Sequence, residues 1–226
     1  GIQRIVHTSS VATIRVFRDG RSSNEETTSS ITDMVGHYKK SKFLAEELVS
    51  NMIARDGLPA VIVNPSTPVG PFDIKPTPTG RVIRDAAKGK IPAYVDTGLN
   101  VAHVDDIANG HLLAFTKGEI GRKYILGGEN LTLKEILVLI AAWCGHPAPR
   151  WRLPIPALYP IAWASESWAF LRNGPEPQTT IDGLKMAAKK MFFDSSRAIS
   201  ELTYSTRPAR VAIIDALEWL KKEGHL

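Results

Sequence analysis

Residues 35–63 read VGHYKKSKFLAEELVSNMIARDGLPAVIV. Val35 to Ala54 has helical spacing, with Phe43, Leu44, Leu48 and Ile53 able to share one face. Gly57 is a stop signal. Leu58-Pro59 then leads into Ala60-Val61-Ile62-Val63, an unbroken apolar run typical of a strand buried in a parallel sheet. Upstream, Ile2 to Val6 reads as a short strand running into Thr8-Ser9-Ser10, and residues 18–33 as a polar loop. Downstream, Pro65, Pro68, Pro71, Pro76 and Pro78 predict a long loop from Asn64 to Gly80, without helix or central strand. Next come a short helix from Gly80 to Lys88 and a strand from Val101 to Val104. A helix from Asp105 to Lys117 follows, with Asp105 or Asp106 near its start, and then a strand from Lys123 to Leu126. Thr132, with Glu135 three residues on, makes a capping box for a helix reaching about Trp143. Strand alternating with helix is the signature of an α/β, doubly wound parallel sheet.

The pattern changes at Pro147. Proline is frequent beyond it, helices dominate, and Trp151, Trp163, Trp168 and Trp219 all lie there. Residues 1–146 are therefore expected to form the sheet domain, and residues 147–226 a mainly helical cap. The cap would end in an amphipathic helix over 208–223 that buries Val211, Ile214, Leu217, Trp219 and Leu220. Trp163 and Trp168 read as cap core, with stacking on a substrate ring as the alternative.

The formal charge of +5, from 28 basic and 23 acidic residues, suits an anionic ligand such as a nucleotide and is too scattered for nucleic acid. Cys144 is the only cysteine, so no internal disulfide forms, which fits a reducing cytoplasm. It reads as a buried structural thiol. Residues 1–6 do not look like a secretory leader. Leu153 to Leu171 is the most lipid-like stretch. Pro154, Pro156, Pro160 and Glu166 make it a poor spanning helix, and membrane association is not expected.

Tyr38 and Lys42, four apart at a helix start, can present a phenol and an ammonium to one point. A free tyrosine has a pKa of about 10, so using it as a base near neutrality costs about 4 kcal/mol. A cation held nearby in a water-poor cleft supplies part of that. Such a pair can move a hydroxyl proton while hydride leaves carbon. Ser10, at a strand end where parallel sheets bind ligands, could donate a hydrogen bond to a substrate oxygen. Taken alone, Thr8-Ser9-Ser10 is equally ordinary turn chemistry.

Several segments, in order along nearly the whole chain, resemble the extended short-chain dehydrogenase/reductases, the NAD-dependent epimerase/dehydratase family. They include Ile5 to Thr13, Tyr38-x-x-x-Lys42 with Phe43-Leu44-Ala45-Glu46, Asn64 to Pro71, His103 to Ala108, Phe193-Asp194 and Arg207-Pro208. Residues 64–80, 91–100 and 124–132 are most similar to the hopanoid-associated sugar epimerases, also described as dihydroflavonol-4-reductase-like. The resemblance implies a Rossmann-like catalytic domain with a substrate-binding cap. Tyr38 would be the general acid/base, Lys42 its pKa-lowering partner and ribose ligand, and Ser10 the catalytic hydroxyl. Thr8, Pro65 and Ser66 would border the NAD or NADP cofactor, and Asn64 and Arg81 the substrate. His103 would brace a strand–helix junction. No metal is implied.

The main departure is an absence. The family begins with a strand, a Gly-rich turn and a helix for the pyrophosphate, and no such pattern is present. Roughly the first hundred residues of the family's chain are expected to be missing, leaving an exposed sheet edge and apolar faces, weak cofactor binding and poor solubility. The implied function is hydride transfer on a sugar, nucleotide-sugar or polyol-like substrate, as an epimerase or as an NADPH-dependent ketone reductase. A truncated, non-catalytic binding protein of the same fold is the alternative, and a homodimer is compatible with either.

Overall fold

A computed structural model describes residues 1–172 and 181–226. In chain order the first half comprises β1 (Ile5–Thr8), α1 (Gly36–Asp56), β2 (Ala60–Pro65), β3 (Thr67–Val69), α2 (Pro78–Ala87), β4 (Ala93–Tyr94) and β5 (Gly98–His103). Then follow α3 (Val104–Lys117), β6 (Lys123–Leu126), β7 (Glu129–Thr132), α4 (Leu133–Cys144) and β8 (Trp151–Arg152). The chain closes with α5 (Tyr159–Leu171), α6 (Ile181–Ala187), β9 (Lys190–Met191), α7 (Ser196–Leu202) and α8 (Ala209–Lys222).

Strands β1, β2 and β6 form one parallel sheet in the order β1-β2-β6. Val6, Val61 and Val63 point to one face and pack with Ile107 and Ala114 of α3. A second sheet has β5 between β3 and β7, with β3 parallel to it and β7 antiparallel; β9 also pairs with β5. Helices α2, α4 and α8 bury Ile83, Ile140, Ile213 and Leu217 against Val69 and Val101 of that sheet. An α/β fold of parallel strands with flanking helices is thus formed, as the alternation of elements requires.

Several expectations are corrected. The proline-rich stretch contains β3, because Pro68 lies on an edge strand where a missing N–H costs nothing. Helix α2 starts at Pro78, two residues before Gly80, since proline is tolerated in the first turn and Thr77 Oγ1 caps Gly80 N–H. Asp105 and Asp106 lie in the first turn of α3, as read, and His103 is its N-cap. The first strand is displaced to Ile5–Thr8, where it pairs with Ala60–Val63. The capping box at Thr132 and the left-handed stop at Gly57 are as read.

Part of the stretch 147–226, read as the cap, packs on the sheets. From Phe193 the chain returns to the sheets: Ala198 and Leu202 of α7 join the α3 core, and α8 joins the α2–α4 core. Within α8 the buried isoleucine is Ile213 rather than Ile214. Trp163 and Trp168 are exposed, not core. Cys144 is half-buried, and burial raises its thiol pKa.

Helix α1 is the largest surprise. Its inward positions are Lys42, Phe43, Glu46 and Ile53, whereas Leu44, Leu48 and Met52 form an exposed stripe. Among the described residues nothing covers that stripe, and β1 is paired only with β2. Leu217→Ala should therefore cost about 2–5 kcal/mol through a buried cavity. Leu48→Ala, at a side chain 61% exposed, should change stability by no more than about 0.5 kcal/mol. Urea denaturation would check both, and equal losses would mean that the stripe is covered.

Candidate active site

Strand alternation decides which side chains meet. Val6, Val61 and Val63 face α3, so His7, Ser9, Ile62 and Asn64 face α1. Lys123 lies in register with Ile62 and shares that face. Glu46 is the one buried residue of α1 and is only 5% exposed. An isolated carboxylate there would be costly. Its Oε1 instead pairs with Lys123 Nζ at 2.5 Å, while Oε2 accepts from Asn64 Nδ2 at 2.7 Å, from Thr13 Oγ1 at 2.9 Å and from the Ser9 hydroxyl. Burial alone would push the Glu46 pKa up. Lys123 and the hydrogen bonds from Ser9 and Asn64 outweigh it and hold the carboxyl below the usual glutamate range.

The same cluster fixes the turn after β1. Ser10 caps the 3-10 turn Val11–Thr13, its Oγ accepting the Ala12 N–H at 3.1 Å. Its carbonyl accepts from Thr13 Oγ1 at 2.9 Å and from Asn64 Nδ2 at 3.1 Å. The Ser10 hydroxyl proton is left to donate elsewhere.

Tyr38, Lys42 and Glu46 follow at four-residue steps, so anchoring Glu46 sets where the other two stand. Lys42 is half-buried and shares a field with His7. Burial lowers the His7 pKa, Glu46 works against this, and Lys42 lowers it further. The phenol is another matter. Tyr38 is 62% exposed, because nothing among the described residues packs over that side of the first helical turn. The expected water-poor cleft is thus not closed by these residues.

The other sequence-derived residues divide. Thr8 belongs to the α3 face: His111 Nδ1 donates to the Ile107 carbonyl at 2.8 Å, so its Nε2 accepts the Thr8 hydroxyl at 3.1 Å. The Thr8 hydroxyl thus meets α3, whereas Tyr38 and Lys42 stand on α1. Asn64 is fully buried; its Nδ2 donates to Glu46, Thr13 and Ser10, and its Oδ1 is buried without a described partner. Arg81 stands exposed on α2, whose neighbours are α4, α8 and β3, and no described contact links it to the pair. Pro65 is half-buried at the end of β2, and the adjacent Ser66 Oγ is buried without a hydrogen-bond partner.

His103 is 1% exposed. Its Nδ1 accepts the Asp105 N–H at 3.1 Å, so Nε2 donates to Asp215 at 3.0 Å. Arg207 pairs with Asp106 at 3.1 Å, and the group locks α3 and α8 to β5. Glu46 and Lys123 carried no role in the sequence. The available signal was an acid continuing the four-residue series of Tyr38 and Lys42.

Residues 1–127 match the model of the NAD dependent epimerase/dehydratase family. A Synechocystis sp. protein carrying the name dihydroflavonol 4-reductase is 42% identical over 230 residues, covering 100% of this chain and 66% of its own length. Sterol demethylase protein B of Methylococcus capsulatus is 33% identical over 227 residues, covering 99% of this chain and 68% of its own. The crystal structure of PA4631, a nucleoside-diphosphate-sugar epimerase from Pseudomonas aeruginosa, superposes with a TM-score of 0.78 at 28% identity, covering 100% of this chain and 68% of that one. The chain therefore spans about two thirds of the length of these relatives.

Glu46→Gln tests the buried cluster. A carboxyl whose folded pKa is lowered stabilises the fold fully above the ordinary glutamate pKa, and that contribution is lost as pH falls through the folded value. The variant should be about 1–3 kcal/mol less stable at neutral pH. Urea midpoints measured toward about pH 3 should show the gap closing. A gap independent of pH would remove Glu46 as the titrating anchor.

Proposed function

Because the chain belongs to the NAD dependent epimerase/dehydratase family, we propose that it carries the proton-transfer half of an NAD(P)-dependent oxidoreduction at a carbinol or ketone carbon. The observation that carries this proposal is the Glu46 cluster. It ties the helix bearing Tyr38 and Lys42 to the strand end bearing Ser10.

The residues present fit the nicotinamide-ribose end of a dinucleotide. Ser66 Oγ is a buried hydroxyl without a partner beside Pro65, and Lys42 is held on the Tyr38 face of α1 with no described ion pair. No cradle for the pyrophosphate is found among the described residues. When bound, the dinucleotide supplies the hydride donor or acceptor. Tyr38 gives a proton to the substrate oxygen or takes one from it. Lys42 favours the phenolate and donates to ribose hydroxyls, and Ser10 donates its free hydroxyl proton to the same substrate oxygen.

The substrate in this proposal is sugar-, nucleotide-sugar- or polyol-like, with a hopanoid-linked sugar the narrowest form. The name of the Synechocystis relative favours a single ketone reduction, and that of the Pseudomonas aeruginosa structure favours epimerisation. Tyr38 and Lys42 serve both alike. Isotope-labelled cofactor separates the two: an epimerase retains its label on the bound cofactor, and a reductase consumes it. A second interpretation, a non-catalytic binding protein, is favoured by the exposed Tyr38 ring.

Titration of the chain with NAD(H) and NADP(H) should give saturable binding. Tyr38→Phe should then lower turnover by about 10²–10⁴-fold while binding is kept. Lys42→Met should weaken both. No binding at millimolar cofactor would leave only the non-catalytic interpretation.

A further inference from the structure

Helix α5 has the sequence YPIAWASESWAFL and carries one charged residue, Glu166, whose carboxylate accepts the Ile181 N–H at 2.8 Å. Among the described residues of this helix, Ala162 is the fully buried one. Ile161, Trp163 and Trp168 are 58%, 66% and 57% exposed, and Pro160 and Ala164 are exposed with them. The surface continues through Leu153, Pro154 and Pro156 along an open crevice ending at Tyr159, and Trp151 beside it is 77% exposed. A continuous apolar surface of this kind marks an interaction site.

We propose that this face seats the protein on the surface of an anionic lipid bilayer. Two observations select that partner over a second copy of the chain. Trp163 and Trp168 lie about 140° apart around the helix. A helix lying half-immersed among headgroups is covered on both flanks. The rim is basic: Arg150, Arg152 and Arg172 are exposed around the patch, and the Arg172 guanidinium lies 4.0 Å from the centre of the Trp168 ring. Asp96 offsets one of them by pairing with Arg152 at 2.8 Å, and Glu166 is spent on the Ile181 backbone. Tryptophan and tyrosine favour the headgroup layer, and arginine side chains reach its phosphates. Among the described residues no helix is long and apolar enough to cross a membrane, so the contact is interfacial. This reverses the sequence-based expectation of no membrane association, and it does not depend on the catalytic proposal.

The test is co-sedimentation of the full chain with vesicles of phosphatidylcholine and phosphatidylglycerol, compared with phosphatidylcholine alone. Binding should require phosphatidylglycerol and weaken with added salt. Trp163→Ser and Trp168→Ser should each weaken partitioning by about tenfold, since both rings are exposed and their loss leaves the fold intact. Leu48→Ser, on the apolar stripe of α1, should bind as the parent does. Arg150→Gln combined with Arg152→Gln should remove the preference for phosphatidylglycerol without touching an apolar contact. Absence of co-sedimentation, or tryptophan variants that bind like the parent, would overturn the proposal. So would self-association abolished by the same substitutions without any vesicle binding.

Discussion

A buried carboxylate organises this protein's candidate active site. Glu46 sits where α1 crosses the sheet and accepts from groups on the end of β1, the turn after it, β2 and β6. Burying a charge is unfavourable unless it is paired and hydrogen-bonded, so the arrangement persists only while all of these elements keep their relative heights. Register between α1 and the strands is thereby specified by polar contacts rather than by apolar packing alone. The outward turn of Leu44 and Leu48 is the other side of that geometry.

Much of the fold was legible because local signals agreed with the global pattern. The Ala60–Val63 run, the Gly57 stop and the Thr132–Glu135 box each have a mechanism that works within a few residues. What was not legible depended on partners distant in sequence. Pro68 looked like a strand breaker until β5 supplied an edge for it. Leu44 and Leu48 looked like a core face because hydrophobicity alone cannot announce that Lys123, far along the chain, will bring a carboxylate inward instead.

The candidate site divides in the same way. The helical stagger of Tyr38 and Lys42 was readable from spacing, and the place of Ser10 just past a strand end from the run before it. The partners of Asn64 and Thr8 were not, since they follow from which face of a strand each occupies and what waits there. Glu46 and His111 answer that question only in three dimensions. His103 was readable as a brace, and its partner Asp215 was not.

The opposite aim of Thr8 and Ser9 has an evolutionary corollary. Neighbouring hydroxyls at the end of β1 serve different layers, one meeting an imidazole and the other a carboxylate. Insertion or deletion of a single residue within this short strand would exchange them and leave both layers mismatched. In descendants of this gene the interval from Ile5 to Ser10 should accordingly stay constant in residue count.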